Sequence, residues 1–140
     1  MQIAVSNTTS EDLGKLVLRI TLATLILFHG ISKIIGGAGF ITGLMPNIGL
    51  PSMLGNLVYV GEIIAPLLVL FGVWTRAGAV VIAINMVVAV LLVHTKQLFE
   101  MANTGGWALE LQGIYLGAAI AVALVGAGRY SIAGTSGKWN

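Results

Sequence analysis

The stretch LVLRITLATLILFHGI, residues 16–31, decides the fold. Its only polar interruptions of note are Arg19 and His29, and the apolar run around it extends from about residue 13 to about residue 35. That length is what a helix needs to cross a hydrocarbon layer of roughly 30 Å. A cleaved secretory signal is disfavoured, because the run exceeds the usual apolar segment of such signals and no A-x-A site follows it. Three further runs of similar character occupy residues 53–74, 77–93 and 107–125. Together they predict an all-α membrane protein, a four-helix transmembrane bundle. A single membrane domain, 13–127, would lie between short polar tails, 1–12 and 128–140.

Composition agrees with this reading. The chain of 140 residues is 57% hydrophobic and 9% charged, whereas soluble domains carry roughly a quarter charged residues. A soluble fold of this size could not hide so much apolar surface. There are no cysteines, which excludes disulfides, thiolate nucleophiles and Cys-bound metal centres. A net charge of +2 gives no basis for a nucleic-acid partner. The expected partner is the lipid bilayer.

The segments between the runs differ. Residues 36–53 hold Gly36, Gly37, Gly39, Gly43, Pro46, Gly49 and Pro51, which punctuate structure. They are also apolar (Phe40, Ile41, Leu44, Met45), so the segment is expected at the interface or folded back among the helices. Thr75–Arg76 reads as a tight turn, and HTKQLFEMANTGG, residues 94–106, as a polar loop. Pro66 inside the second run is tolerable in a membrane helix whose neighbours satisfy the freed carbonyl. Basic residues set the orientation. Lys15, Arg19, Arg76, Arg129 and Lys138 fall on the side of the termini, against Lys33 and Lys96 on the other. Both termini are therefore expected in the cytoplasm of a multi-pass protein, which in a bacterial source means the inner membrane.

Ionisable residues inside a span are costly unless paired or facing a cavity. At about 1.5 Å per residue, His29 lies roughly 21 Å above Lys15, Glu62 roughly 21 Å above Arg76, and Glu110 roughly 28 Å above Arg129. His29, Lys33, Glu62, His94 and Glu110 are thereby expected in one outer layer, as a ligand-binding or ion-pair cluster. His29, Glu62 and Glu110 are the catalytic candidates within it. Arg19, His29 and Lys33 share a face of the first helix. Glu110, Gly113 and Gly117 share a face of the fourth, where the small-xxx-small pair predicts close helix packing. Asn85 is expected to hydrogen-bond between helices, and to lie on a face of the third helix opposite His94. Arg19 is expected to snorkel to the cytoplasmic head groups. Trp74, Trp107, Tyr115 and Tyr130 are expected in interfacial belts, and Lys96 with Glu100 in a solvated turn. No metal site is expected, since the two histidines lack metal-ligand spacing.

The order of motifs then matches a known pattern. HGISK (29–33) ends the first helix and GLP (49–51) ends the glycine-rich loop. VGEIIAPLLVLFGVWTR (60–76) forms the second helix, a histidine ends the third, a glutamate begins the fourth, and GAGRYSI (126–132) closes the chain. Over residues 13–134 the chain resembles the DoxX family of bacterial inner-membrane proteins, related to the DoxD subunit of thiosulfate:quinone oxidoreductase. The resemblance implies a four-helix membrane fold with polar residues at Arg19, His29, Lys33, Glu62, Arg76, His94 and Glu110. It also implies a link to sulfur-compound oxidation with quinone, or to complexes handling oxidative stress. One departure is Ala133, where the family's closing motif has an acidic residue, so an ion pair there with Arg76 or Arg129 is in question.

Two functions follow as expectations. One is a redox-associated subunit with a quinone as candidate ligand and a redox partner protein, the outer polar layer forming its pocket. The other is a non-enzymatic scaffold or small-solute carrier, in a complex or a homo-oligomer.

Overall fold

The computed structural model describes the backbone of residues 4–140 and side chains from residue 8 onward. It is all-helical. Among the described residues there is no strand, only an isolated antiparallel bridge between Met101 and Trp107. The first helix, α1, runs Ala4–Gly36, about 50 Å at the α-helical rise. It is longer than a bilayer core. The expected tail at 1–12 is therefore helical from Ala4 onward, and residues 1–3 lie outside the described residues. The helix continues because its polar first part is tied down. The buried Asp12 accepts a hydrogen bond from the Arg129 backbone N–H at 3.1 Å and pairs with the Arg129 guanidinium at 3.6 Å.

The glycine-rich segment folds into a cap. A short helix, α2 (Gly39–Leu44), leads into a 3-10 turn at Met45–Ile48. A second 3-10 segment at Ser52–Leu57 opens the next span. Gly55 lets that segment meet the Thr42 backbone, since a carbon added there would lie 2.7 Å from the Thr42 Cα.

The second span, Ser52–Phe71, is a composite. A π turn at Val60–Ile64 precedes α3 (Ala65–Phe71), and Pro66 sits in the first turn of α3. Proline explains the irregularity. It has no N–H to give to the carbonyl four residues back, and its ring pushes that carbonyl aside. The carbonyl is that of Glu62, and it is displaced toward α1, where a carbon added at Gly30 would overlap it. Gly30 thus accommodates what Pro66 releases.

The third span, α4, runs Thr75–Val93, and α5 runs Glu110–Val125. Among the described residues, three segments are long and apolar enough to cross a membrane: Thr8–Gly36, Ser52–Phe71 and Thr75–Val93. The apolar α5 is shorter, at 16 residues, because the chain before Glu110 is held in a loop by the Trp107 indole donating to the Leu98 carbonyl at 2.8 Å. The core is built from Leu22 and Ile26 of α1, Val69 of α3, Ile82 and Met86 of α4, and Tyr115, Ala119 and Val122 of α5.

Four expectations are corrected here. Gly113 and Gly117 do not form a packed helix interface. Gly117 is exposed with nothing within 4 Å of an added carbon, and the space over Gly113 is filled by the chain's own Trp107 ring. The buried stripe of α5 is instead Tyr115, Ala119 and Val122, so Tyr115 is not a belt residue either. A small-xxx-small pair permits close approach but does not choose between two faces.

Arg19 does not snorkel. It is 1% exposed and donates to the carbonyls of Val69 (2.9 Å), Leu70 (3.1 Å), Ala127 (2.5 Å) and Tyr130 (3.0 Å). Val69 and Leu70 lie in the last turn of α3, where carbonyls lack intrahelical donors, and Ala127 and Tyr130 lie in the segment after α5, so the guanidinium ties the two together.

Residues 128–140 are not a free tail. Ile132 and Ala133 donate backbone N–H groups to Phe71 (3.0 Å) and Gly72 (3.2 Å), and Arg76 N–H donates to Trp139 (2.9 Å). Asn140 Oδ1 accepts from the Thr75 hydroxyl at 2.9 Å. Arg76 itself donates to the Ala123, Leu124 and Asn140 carbonyls at 3.1, 2.8 and 3.0 Å. The missing acidic residue at Ala133 is thus replaced by main-chain acceptors, and Asp12 at this end pairs with Arg129 at 3.6 Å and with Lys15 at 4.0 Å.

Candidate functional site

A cleft of about 760 Å³ lies between α1, the second span, α4 and α5, with the cap along one side. Its walls are mostly apolar. Several wall residues, among them Phe40, Leu57 and Ile84, are themselves largely exposed. The cleft therefore opens on an apolar surface. The volume falls in the range of small-molecule and cofactor sites.

Four of the five residues expected in the outer cluster line this cleft: His29, Lys33, Glu62 and His94. Lys33 and Glu62 form an ion pair at 2.7 Å. Glu62 is 7% exposed, and it reaches Lys33 because the π turn carries it. A π turn widens the helix by one residue and re-aims the side chains within it. The Lys33 carbonyl, near the end of α1, accepts from the Tyr59 hydroxyl at 2.9 Å, which fixes α1 against the second span next to the pair.

His29 stands one turn below Lys33 on α1. Its ring meets the edge of Tyr115 at a centroid distance of 6.1 Å and an interplanar angle of 79°. It makes no hydrogen bond among the described residues. Its side is open to the cleft.

His94 follows the last turn of α4 with φ −116° and ψ 12°. Having left the helical path, it no longer obeys the helix phase. His94 and Asn85 consequently both line the cleft, contrary to the expectation that they face opposite ways. His94 Nδ1 lies 2.9 Å from Gln97 Oε1, and its Nε2 lies 3.4 Å from Gln112 Nε2. The two glutamines thus hold the ring in place from both of its nitrogens.

Glu110 does not join the cluster. It is exposed, does not line the cleft, and its carboxylate lies against Gly106. At the first residue of α5 it sits near unpaired backbone N–H groups, where a carboxylate is favoured. From α5 the cleft instead takes Gln112 and Tyr115. These two were missed from sequence, although Gln112, Tyr115, Ala119 and Val122 share one helical stripe that could have been weighed against the glycine stripe. Asn85 packs against Gly61, but the interhelical hydrogen bond expected of it is not made: its Nδ2 is buried without a partner.

The arrangement offers an ammonium held by a carboxylate, a free imidazole, an imidazole held by two glutamines and a phenol, all in apolar walls. It suits an amphiphile that presents oxygen atoms at one end. Among the described residues no group of three or more His, Asp or Glu side chains is gathered as a metal site.

Residues 14–95 match the DoxX family model. That segment carries His29, Lys33, Glu62, Asn85 and His94. A Bacillus subtilis (strain 168) protein named "Putative oxidoreductase CatD" is 33% identical over 107 residues, covering 76% of this chain and 79% of its own length. No solved structure matches. With more than half of the chain matched by the family model and a relative of this similarity, the chain belongs to the DoxX family.

Proposed function

We propose that the chain is a redox-associated subunit of the bacterial inner membrane, with four spans and cytoplasmic termini, whose cleft binds a quinone head group. The observation that carries this reading is the Lys33–Glu62 pair beside an unpaired His29 in a cleft that opens on the apolar surface. An isoprenoid-tailed ligand partitions into lipid and would enter from that side. The family relative named as an oxidoreductase supports the redox class.

When bound, a quinone supplies two-electron, two-proton redox chemistry. Each residue has a role derived from its surroundings. Lys33 donates to a ligand oxygen. Glu62 holds Lys33 in position. His29, open to the cleft, accepts or returns a proton. Tyr115, edge-on to His29, limits the imidazole's rotation. The chain has no cysteine, so a partner protein is the natural source of electrons.

The test is purification of the full chain in mild detergent, followed by solvent extraction and quinone absorbance. About one quinone per chain is expected, with clear loss in Glu62→Gln and in Lys33→Met. A protein that carries no quinone and does not take up added decylbenzoquinone rules the reading out. A stoichiometric partner protein together with an empty cleft would favour the scaffold role.

A further inference from the structure

Asn85, His94 and Gln112 are polar wall residues that the roles above leave unused, and the last two lie against each other. Asn85 stands in the middle of α4, and its side chain occupies the space that Gly61 leaves free: a carbon added at Gly61 would overlap the carboxamide. That contact places it on the cleft wall, against the π turn and one residue from Glu62. Its Nδ2 is the one buried side-chain polar atom without a hydrogen-bond partner among the described residues. An asparagine inside a membrane helix is ordinarily kept for a bond to another helix. Here no other helix supplies one, and a buried amide donor left unpaired is costly. Filling the Gly61 slot would not require a polar group.

We propose that Asn85 is a ligand-binding residue, donating a hydrogen bond to a carbonyl-class oxygen on the occupant of the cleft. It thereby selects amphiphiles with an acceptor over plain hydrocarbon chains. The inference rests on the cleft being a ligand site, as proposed above. The nearby groups agree with it. Glu62 is engaged by Lys33, and His94 Nδ1 is engaged by Gln97. His29, Lys33, Asn85 and Tyr115 are the donors that face the cleft, and of these Asn85 is the one on α4. Rotation about the last side-chain bond of asparagine is soft, so the amide can turn to a ligand without movement of α4.

The experiment titrates decylbenzoquinone, and decylbenzene as its acceptor-free counterpart, into the purified full chain in detergent. Wild type is compared with Asn85→Leu, and the thermal midpoint of each ligand-free protein is recorded. The variant should bind decylbenzoquinone about tenfold more weakly, the effect of one lost hydrogen bond. Decylbenzene binding and the ligand-free midpoint should be unchanged or raised. Equal quinone affinity in the two proteins overturns this inference alone. So does a lowered midpoint with both affinities falling together, which would mark Asn85 as a packing residue. A wild type that binds no quinone overturns the cleft reading and this inference with it.

Discussion

Lys33 and Arg19 show two ways of holding a cation in apolar surroundings, and they predict different responses to mutation. Lys33 has one anionic partner, Glu62. Removing the lysine leaves a buried carboxylate alone, a change that costs about 3–5 kcal/mol when a buried pair is broken. Glu62→Gln keeps a hydrogen-bonding oxygen and should cost less. The double variant Lys33→Met/Glu62→Met should recover most of the loss, giving a coupling energy of the sign a double-mutant cycle detects. Thermal unfolding in detergent measures all three. Additive losses would mean that the pair is not coupled. Arg19 instead satisfies four main-chain carbonyls. Arg19→Lys keeps the charge but loses the planar fork. It should still be destabilising, by about 1–3 kcal/mol for each buried acceptor left unpaired. A lysine variant as stable as wild type would show that charge alone suffices there.

At the scale of elements, the helices meet where a glycine faces a neighbour's backbone or side chain, and the exposed glycines are bystanders. Gly30 lies against the Glu62 carbonyl, and Gly61 against Asn85, while Gly117 has nothing near it. Gly30→Ala should therefore cost about 1–3 kcal/mol through overpacking. Gly117→Ala should be neutral or slightly stabilising, because alanine is the better helix former. The two midpoints, measured side by side, check this. The reverse order would restore the α5 glycine face as a packing surface. Pro66 belongs to the same scale. Pro66→Ala restores an N–H that can reach the Glu62 carbonyl, which removes the reason for the π turn. Glu62 should then rotate away from Lys33, and quinone retention should fall while stability holds. The absorbance of extracted quinone reads the outcome.

For the whole molecule, both arginine clusters and the Asp12–Arg129 pair lie at one end of the bundle. The cap and the 94–109 loop lie at the other. The proposed topology puts the first end in the cytoplasm. Because the native chain has no cysteine, single substitutions can report it. Asn47→Cys and Asn103→Cys should react with a membrane-impermeant maleimide in intact cells, and Thr135→Cys only after lysis. The opposite pattern would invert the topology.

How far the sequence could be read follows from which physical quantity each feature depends on. Apolar runs depend on composition, so the three long spans were legible, as was the level shared by His29, Lys33 and Glu62. Arg19 was misread because hydropathy takes no account of carbonyls at the ends of other helices. His94 and Asn85 were read as facing opposite ways because helical phase stops counting where the helix stops. Glu110 was drawn into the cluster by its depth, although its exposed position at the start of α5 turns it outward. The π turn was foreshadowed only by Pro66, whose effect depends on what α1 presents opposite it.

The meeting of Pro66 and Gly30 across two spans has a consequence for descent. In a lineage that lost the proline, the Glu62 carbonyl would return to its own helix, and the position of Gly30 would become free to acquire a side chain. A lineage that first gained a side chain at Gly30 would meet the displaced carbonyl head-on. The two positions should therefore drift as a pair, with the proline departing first.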